Sequence, residues 1–204
     1  MASDRAIAIL GLQKRLARAF KTQAAHGSFE AYFARSILWK RNQPTAMTAI
    51  AQPTGRHVPS WSWFSKGGKI QYMHLSFNKI DWMNDNFENP FDRQRDVPSG
   101  CRRREDSVVL RGLARGMKIS DKELFERVIF DENNELKTKD LRAVVIGRDK
   151  DEGTAHTGLN SPRIHVLVVR ESTSDYSERI YKRVGVASLL PMQVLAEGTW
   201  VDVW

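Results

Sequence analysis

A single cysteine, Cys101, stands beside Arg102, Arg103 and Arg104, and cations of that kind shift a thiol towards the reactive thiolate. A thiol nucleophile also needs a base, and no histidine lies beside it in the chain. The histidines His26, His57, His74, His156 and His165 show no metal-ligand spacing, such as a pair one helical turn apart. His165 opens an apolar run and reads as a hydrogen-bonded core residue. The acids Asp140, Asp149, Asp151 and Glu152 are scattered through loop-like sequence and form no carboxylate pair or metal cage. Gly67-Gly68 reads as a turn, and Gly112-Leu113-Ala114-Arg115-Gly116 lacks the dinucleotide fingerprint. No catalytic residue, metal ligand or cofactor motif is assigned, and the reading leans away from an enzyme. A pocket assembled from residues far apart in the chain stays open as an alternative.

Binding chemistry is better represented. Lys14, Arg15, Arg18 and Lys21 could contact phosphates or acidic lipid, or form the solvated face of an amphipathic helix. The second reading is favoured, because strong phosphate binding needs clustered cations and these are spread along the helix. Arg102, Arg103 and Arg104 could grip a phosphate. However, the window 92–106 holds five cations against four anions and nearly neutralises itself. Trp61 and Trp63 could stack bases or sugars. Their large apolar area favours a place in the core.

These residues need elements to hold them. The chain has 204 residues, 41% hydrophobic and 27% charged, with six tryptophans and nine phenylalanines. That apolar share can build a core, which argues against disorder. One cysteine excludes a disulfide framework and a thiolate-rich zinc site. No signal-peptide pattern and no apolar run near the roughly 20 residues of a membrane span is found, so a reducing cytoplasm is the expected location. The net charge is +8. Residues 1–41 alone carry eight cations and two acids, so the rest of the chain is almost balanced.

The basic segment, 1–41, reads as two helices. Ile9, Leu12, Leu16 and Phe20 form one apolar stripe, and Phe29, Phe33 and Ile37 form another. Gly27 fits a stop between them. Residues 42–204 read as a β-rich domain with long loops at about 84–106 and 147–162, the two parts making one compact unit. Trp61-Ser62-Trp63 alternates like a strand, with both indoles on one face, and 59–77 reads as a hairpin. Further strand signals lie at 80–82, 107–119, 128–130, 141–146, 164–169, 180–186 and 200–204. The fold expected is α+β: two N-terminal helices packed on an antiparallel sandwich or barrel of about seven strands.

Several ordered pieces resemble the region that follows the heterokaryon incompatibility (HET) domain in fungal proteins. They are Asp4-Arg5-Ala6-Ile7-Ala8-Ile9-Leu10-Gly11-Leu12, Ser36-Ile37-Leu38-Trp39-Lys40, Pro59-Ser60-Trp61-Ser62-Trp63-Phe64-Ser65 with Gly68 and Ile70, and Tyr181-Lys182-Arg183-Val184-Gly185-Val186. The Pro-Ser-Trp-Ser-Trp piece is the most specific. The stretch between about 80 and 160 carries none. The HET domain itself, with its Tyr…Ser-Tyr-x-Trp-Gly type motif, is not among the matching pieces, so none of its functional residues can be placed here. The resemblance implies a fungal protein linked to non-self recognition and programmed cell death, and a chain that is the C-terminal portion of a longer one.

Three classes of function follow. The leading one is an interaction or regulatory module whose partner is a protein or the missing N-terminal effector domain, docked on the basic segment. The alternatives are a nucleic-acid-binding module and an enzyme with a dispersed pocket.

Overall fold

The computed structural model describes residues 2–42, 47–50, 58–95, 109–132, 140–151, 162–172 and 179–204. The first element is helix α1 (Ala2–Ala19). Its inward face differs from the expected stripe. Ile9 and Leu16 are half-buried, but Leu12 is 56% and Phe20 52% exposed, while Gln13 is buried. Gln13 takes the inner position because its Oε1 accepts the Gly27 amide at 3.2 Å, and a half-buried backbone N–H needs an acceptor.

The second helical segment is shorter than the spacing of Phe29, Phe33 and Ile37 predicts. The chain first makes a small hairpin, β1 (Ala24–Ala25) and β2 (Ser28–Phe29), turning at His26 and Gly27, whose φ angles are 49° and 79°. A 3-10 turn at Glu30–Tyr32 leads into α2 (Phe33–Ser36), a single turn. The Ser36 hydroxyl donates to the Phe33 carbonyl at 2.8 Å, a local bond that competes with helix continuation. Strand β3 (Trp39–Arg41) follows at once.

Two small ribbons come next. β4 (Thr48–Ala49) pairs with β5 (Lys66–Gly67), and β3 pairs with β6 (Ile70–Tyr72). The expected hairpin at 59–77 is therefore replaced, since its two arms take different partners. Nor is Trp61-Ser62-Trp63 a strand. Ser62 caps a 3-10 turn at Trp63–Ser65, its Oγ accepting the Phe64 amide at 3.0 Å, so the alternation reflects a capped turn rather than a pleat.

The main sheet holds eight strands: β7 (Ile80–Trp82), β8 (Phe87–Glu88), β9 (Leu110–Met117), β10 (Val128–Phe130), β11 (Leu141–Asp149), β12 (Ile164–Glu171), β13 (Ile180–Leu189) and β14 (Val194–Val203). Helix α3 (Pro90–Arg95) follows β8, and α4 (Asp121–Arg127) precedes β10. Strands β11, β12 and β13 form an antiparallel meander. β14 then runs parallel to the start of β13 and antiparallel to β9, and β9 pairs back onto β11. Five strands thus close into a ring. The architecture is mixed α+β, and closure removes the free edges of those five strands.

Both faces of the curled sheet are covered. One buried cluster joins Leu110, Val144, Ile146, Leu167, Val186 and Val203 to Phe33, Ile37, Leu38, Trp61 and Phe91. The other joins Ala143, Val145, Val166, Val168 and Leu189 to Leu124 and Val128. Residues 164–169 are buried without a break, as their β-branched run predicts. Gly185 faces β10, where a Cβ would lie 2.5 Å from the Ile129 carbonyl oxygen, so only glycine lets β10 pair at that distance. The segment 33–41 packs into the same core as the ring, across the expected boundary at 41. Residues 84–95 of the expected loop at 84–106 form a 3-10 turn, β8 and α3, and 147–149 belong to β11. The remainder of both loops, apart from 150, 151 and 162, lies outside the described residues.

Candidate functional site

Residues from three of the four sequence pieces converge on a buried node. Arg183 and Asp131 are 2% and 1% exposed. Arg183 Nε donates to Asp131 Oδ2 at 3.0 Å and Nη2 donates to Oδ1 at 3.1 Å. Its Nη1 donates to the Ile37 carbonyl at 2.7 Å, and Nη2 also donates to the Trp39 carbonyl. Trp39 in turn donates its indole N–H to the Trp61 carbonyl at 2.8 Å. The Arg183 amide donates to Ser60 Oγ at 2.9 Å, and the Ser60 hydroxyl donates to the Trp204 carbonyl. Burial pulls the Arg183 pKa down, while the charge and hydrogen bonds of Asp131 push it back up. A guanidinium stays charged in proteins, so the node is a structural clamp with no proton to exchange.

Trp61 is fully buried and touches Phe33 edge-on at 5.4 Å, which places it in the core and not on a stacking platform. Trp63 is half-buried. Its indole donates to the Gly27 carbonyl at 3.1 Å and ties the 3-10 turn to the β1–β2 hairpin. Lys14, Arg15 and Arg18 are exposed along α1, with Lys21 exposed just beyond its end. Arg102, Arg103, Arg104 and Cys101 lie outside the described residues. Among the described residues, no group of three or more His, Cys, Asp or Glu side chains could hold a metal, and no helix is long and apolar enough to cross a membrane.

One constellation has the composition of a hydrolytic triad. His165, 3% exposed, has Nδ1 2.9 Å from Ser188 Oγ and Nε2 2.8 Å from Asp149 Oδ1. Ser188 sits within β13, directly opposite His165 on β12, so the backbone around it is committed to the ladder and offers no oxyanion hole. Asp149 Oδ2 also accepts the Arg163 amide at 3.0 Å. The three side chains fasten the β11–β12 connection to β13. The expectation of a hydrogen-bonded core histidine describes His165 correctly.

Two open clefts lie among the described residues. The larger, about 530 Å³, runs between the 3-10 turn at Glu30–Tyr32, α2, β7 and β8. Its walls are rings: Tyr32 is 47% and Phe77 49% exposed, and Trp82, Phe33 and Phe87 lie deeper. Tyr32 meets Phe77 at 6.4 Å and Phe77 meets Trp82 at 5.8 Å, while Phe20, just past the end of α1, extends the row at 6.4 Å from Tyr32. Glu30, Glu88 and Asp92 line the cleft with Arg35, and Glu88 is paired with Arg111 at 3.2 Å. Sequence reading missed this row, because its members come from four separate elements. The second cleft, about 400 Å³, is polar and holds three arginines, Arg111, Arg142 and Arg179.

Set against known proteins, the chain matches no family model, no curated protein and no solved structure.

Proposed function

We propose that this chain is a non-catalytic interaction and regulatory module, and that the aromatic cleft receives a basic segment of a protein partner that inserts an apolar side chain. The observation that carries this reading is the row Phe20–Tyr32–Phe77–Trp82, in a cleft also lined by Glu30 and Asp92. Exposed rings offer large contact area at low conformational cost and attract cations over their faces. The carboxylates add charge complementarity, which sets specificity and encounter rate. Three of the four pieces that resemble the region after a HET domain meet at Arg183, through Ile37 and Trp39, through Ser60, and through Arg183 itself. That supports a binding role over catalysis. The resemblance also suggests the setting: a fungal, cytoplasmic protein of non-self recognition and cell death, with a HET-type effector domain as the partner.

Fluorescence-labelled peptides of mixed Lys/Arg and Leu/Phe composition, with Glu-substituted twins, test the cleft. The basic peptides bind saturably, and Phe77→Ala and Tyr32→Ala each weaken binding about fivefold or more, as single interface anchors do. The acidic twins do not bind. Absence of saturable binding, or affinity unchanged in both variants, defeats the reading. Titrating an isolated HET domain at rising salt then asks whether that domain is the partner.

A further inference from the structure

We infer a second, independent site: the three-arginine cleft binds a small organic phosphate monoester. Arg111 on β9, Arg142 on β11 and Arg179 just before β13 all line it, together with Tyr181, Trp200 and Asp202. The arginines are not equivalent. Arg111 is held in place, reaching Glu88 at 3.2 Å and lying over the Trp200 ring at 5.5 Å from its centroid. It also sits opposite Asp202 in the β9–β14 ladder, which accounts for the one carboxylate in the lining. Arg179 is 82% exposed in its side chain and meets Glu171 only at 3.7 Å. An exposed pair of that kind is worth about 0–1 kcal/mol and yields readily to a better anion. The Arg142 side chain makes no hydrogen bond or ion pair with the described residues.

Tyr181 adds a neutral donor. The residue is 4% exposed, yet its hydroxyl makes no hydrogen bond to the described residues. Tyr181 lines the open cleft, so its hydroxyl is available to a ligand there. Two available guanidinium forks and one hydroxyl supply the kind of donors that a dianion with three terminal oxygens accepts. The volume, about 400 Å³, lies within the range of small-molecule sites. Trp200, 40% exposed, offers an aromatic wall for the organic part of the ligand.

Isothermal titration with phenyl phosphate, inorganic phosphate and phenol tests the site at low and moderate salt. Phenyl phosphate binds saturably and more tightly than inorganic phosphate, more weakly as salt rises, and phenol gives no binding. Arg142→Ala and Arg179→Ala each lower phenyl phosphate affinity about tenfold or more, the usual effect of removing a hydrogen bond to a charged group. Arg142→Lys, which keeps the charge but loses the fork, restores only part of it. Trp200→Ala weakens phenyl phosphate while leaving inorganic phosphate unchanged. Arg179 is on the surface, so its variant stays informative even if Arg142→Ala fails to fold. No saturable binding of either phosphate in the millimolar range overturns the site, as does parental affinity in both arginine-to-alanine variants. Equal affinity for phosphate and phenyl phosphate overturns the organic-ligand assignment.

Discussion

The guanidinium of Arg183 lies over the indole of Trp39, its central carbon 3.3 Å from the ring centroid. The same guanidinium is forked onto both carboxylate oxygens of Asp131 and donates to two backbone carbonyls. A buried ion pair is tolerated only when its remaining hydrogen-bonding capacity is met, and here backbone oxygens and an aromatic face meet it. The pair therefore holds the segment 37–39 against β13 rather than serving a reaction.

Removing one partner strands the other. Asp131→Ala should destabilise the fold by about 3–5 kcal/mol, the range for an uncompensated buried charge. The double variant Asp131→Leu/Arg183→Met should regain much of that loss, because apolar residues of similar volume often replace buried ion pairs well. Urea midpoints decide it. A single variant with the parental midpoint would show that the node contributes nothing.

Gly27 has a φ of 79°, and a Cβ there would lie 2.5 Å from Trp63 Nε1. Gly27→Ala should cost about 1–2 kcal/mol from backbone conformation alone, with the indole clash added. In a double-mutant cycle with Trp63→Ala the penalties should be non-additive, since the truncation relieves the clash. Additive penalties in thermal melts would place the indole elsewhere.

The Ser120–Glu123 capping box starts α4. Glu123 accepts from the Ser120 amide at 3.2 Å and from its hydroxyl at 3.0 Å. The backbone bond, then the side-chain bond, with a smaller pull from Arg127, holds its pKa below the ordinary 4.5. A depressed carboxylate stabilises the fold fully above the unfolded-state pKa, and that stabilisation is lost as pH falls through the folded value. The stability gap between the parent and Glu123→Gln should thus be full at neutral pH and shrink below 4.5. A gap that stays constant from neutral pH to strong acid contradicts the box.

Ser188, His165 and Asp149 should prove inert as a triad. A fluorophosphonate probe should leave Ser188 unlabelled under conditions that label a serine hydrolase, read by peptide mass spectrometry. Ser188→Ala should cost about 0.5–1.5 kcal/mol in stability, the worth of one hydrogen bond. Stoichiometric labelling at Ser188 would restore the enzyme alternative.

Much of the ring was legible in the sequence. Runs such as Val144-Val145-Ile146 and Val166-Leu167-Val168-Val169 are short and rich in β-branched residues and read as buried strands, and His165 at the head of one reads as a core residue. The second helix was overestimated, because Phe29, Phe33 and Ile37 repeat at a helical period while β-pairing of Trp39 with Tyr72 overrides it. Trp61 and Trp63 alternate like a strand, but Ser62 capping bends them apart. Nothing local in the sequence marks Arg183 as a buried clamp, since its partner Asp131 is 52 residues away. The clefts were invisible for the same reason. Tyr32, Phe77 and Trp82 meet only after β7 and the 3-10 turn are placed, and three arginines on separate elements leave no local pattern.

The Arg183 clamp reaches back 146 residues to the Ile37 carbonyl and 144 to that of Trp39. Contacts of such separation form only after the intervening chain is ordered, and they couple whatever they join. The clamp ties residues 37–39 to β13, so that end of the basic stretch should melt together with the ring in a calorimetric scan. Cutting the chain after residue 41 would not release two modules. It would leave the ring with an arginine in its interior that has lost two acceptors and its aromatic cover together.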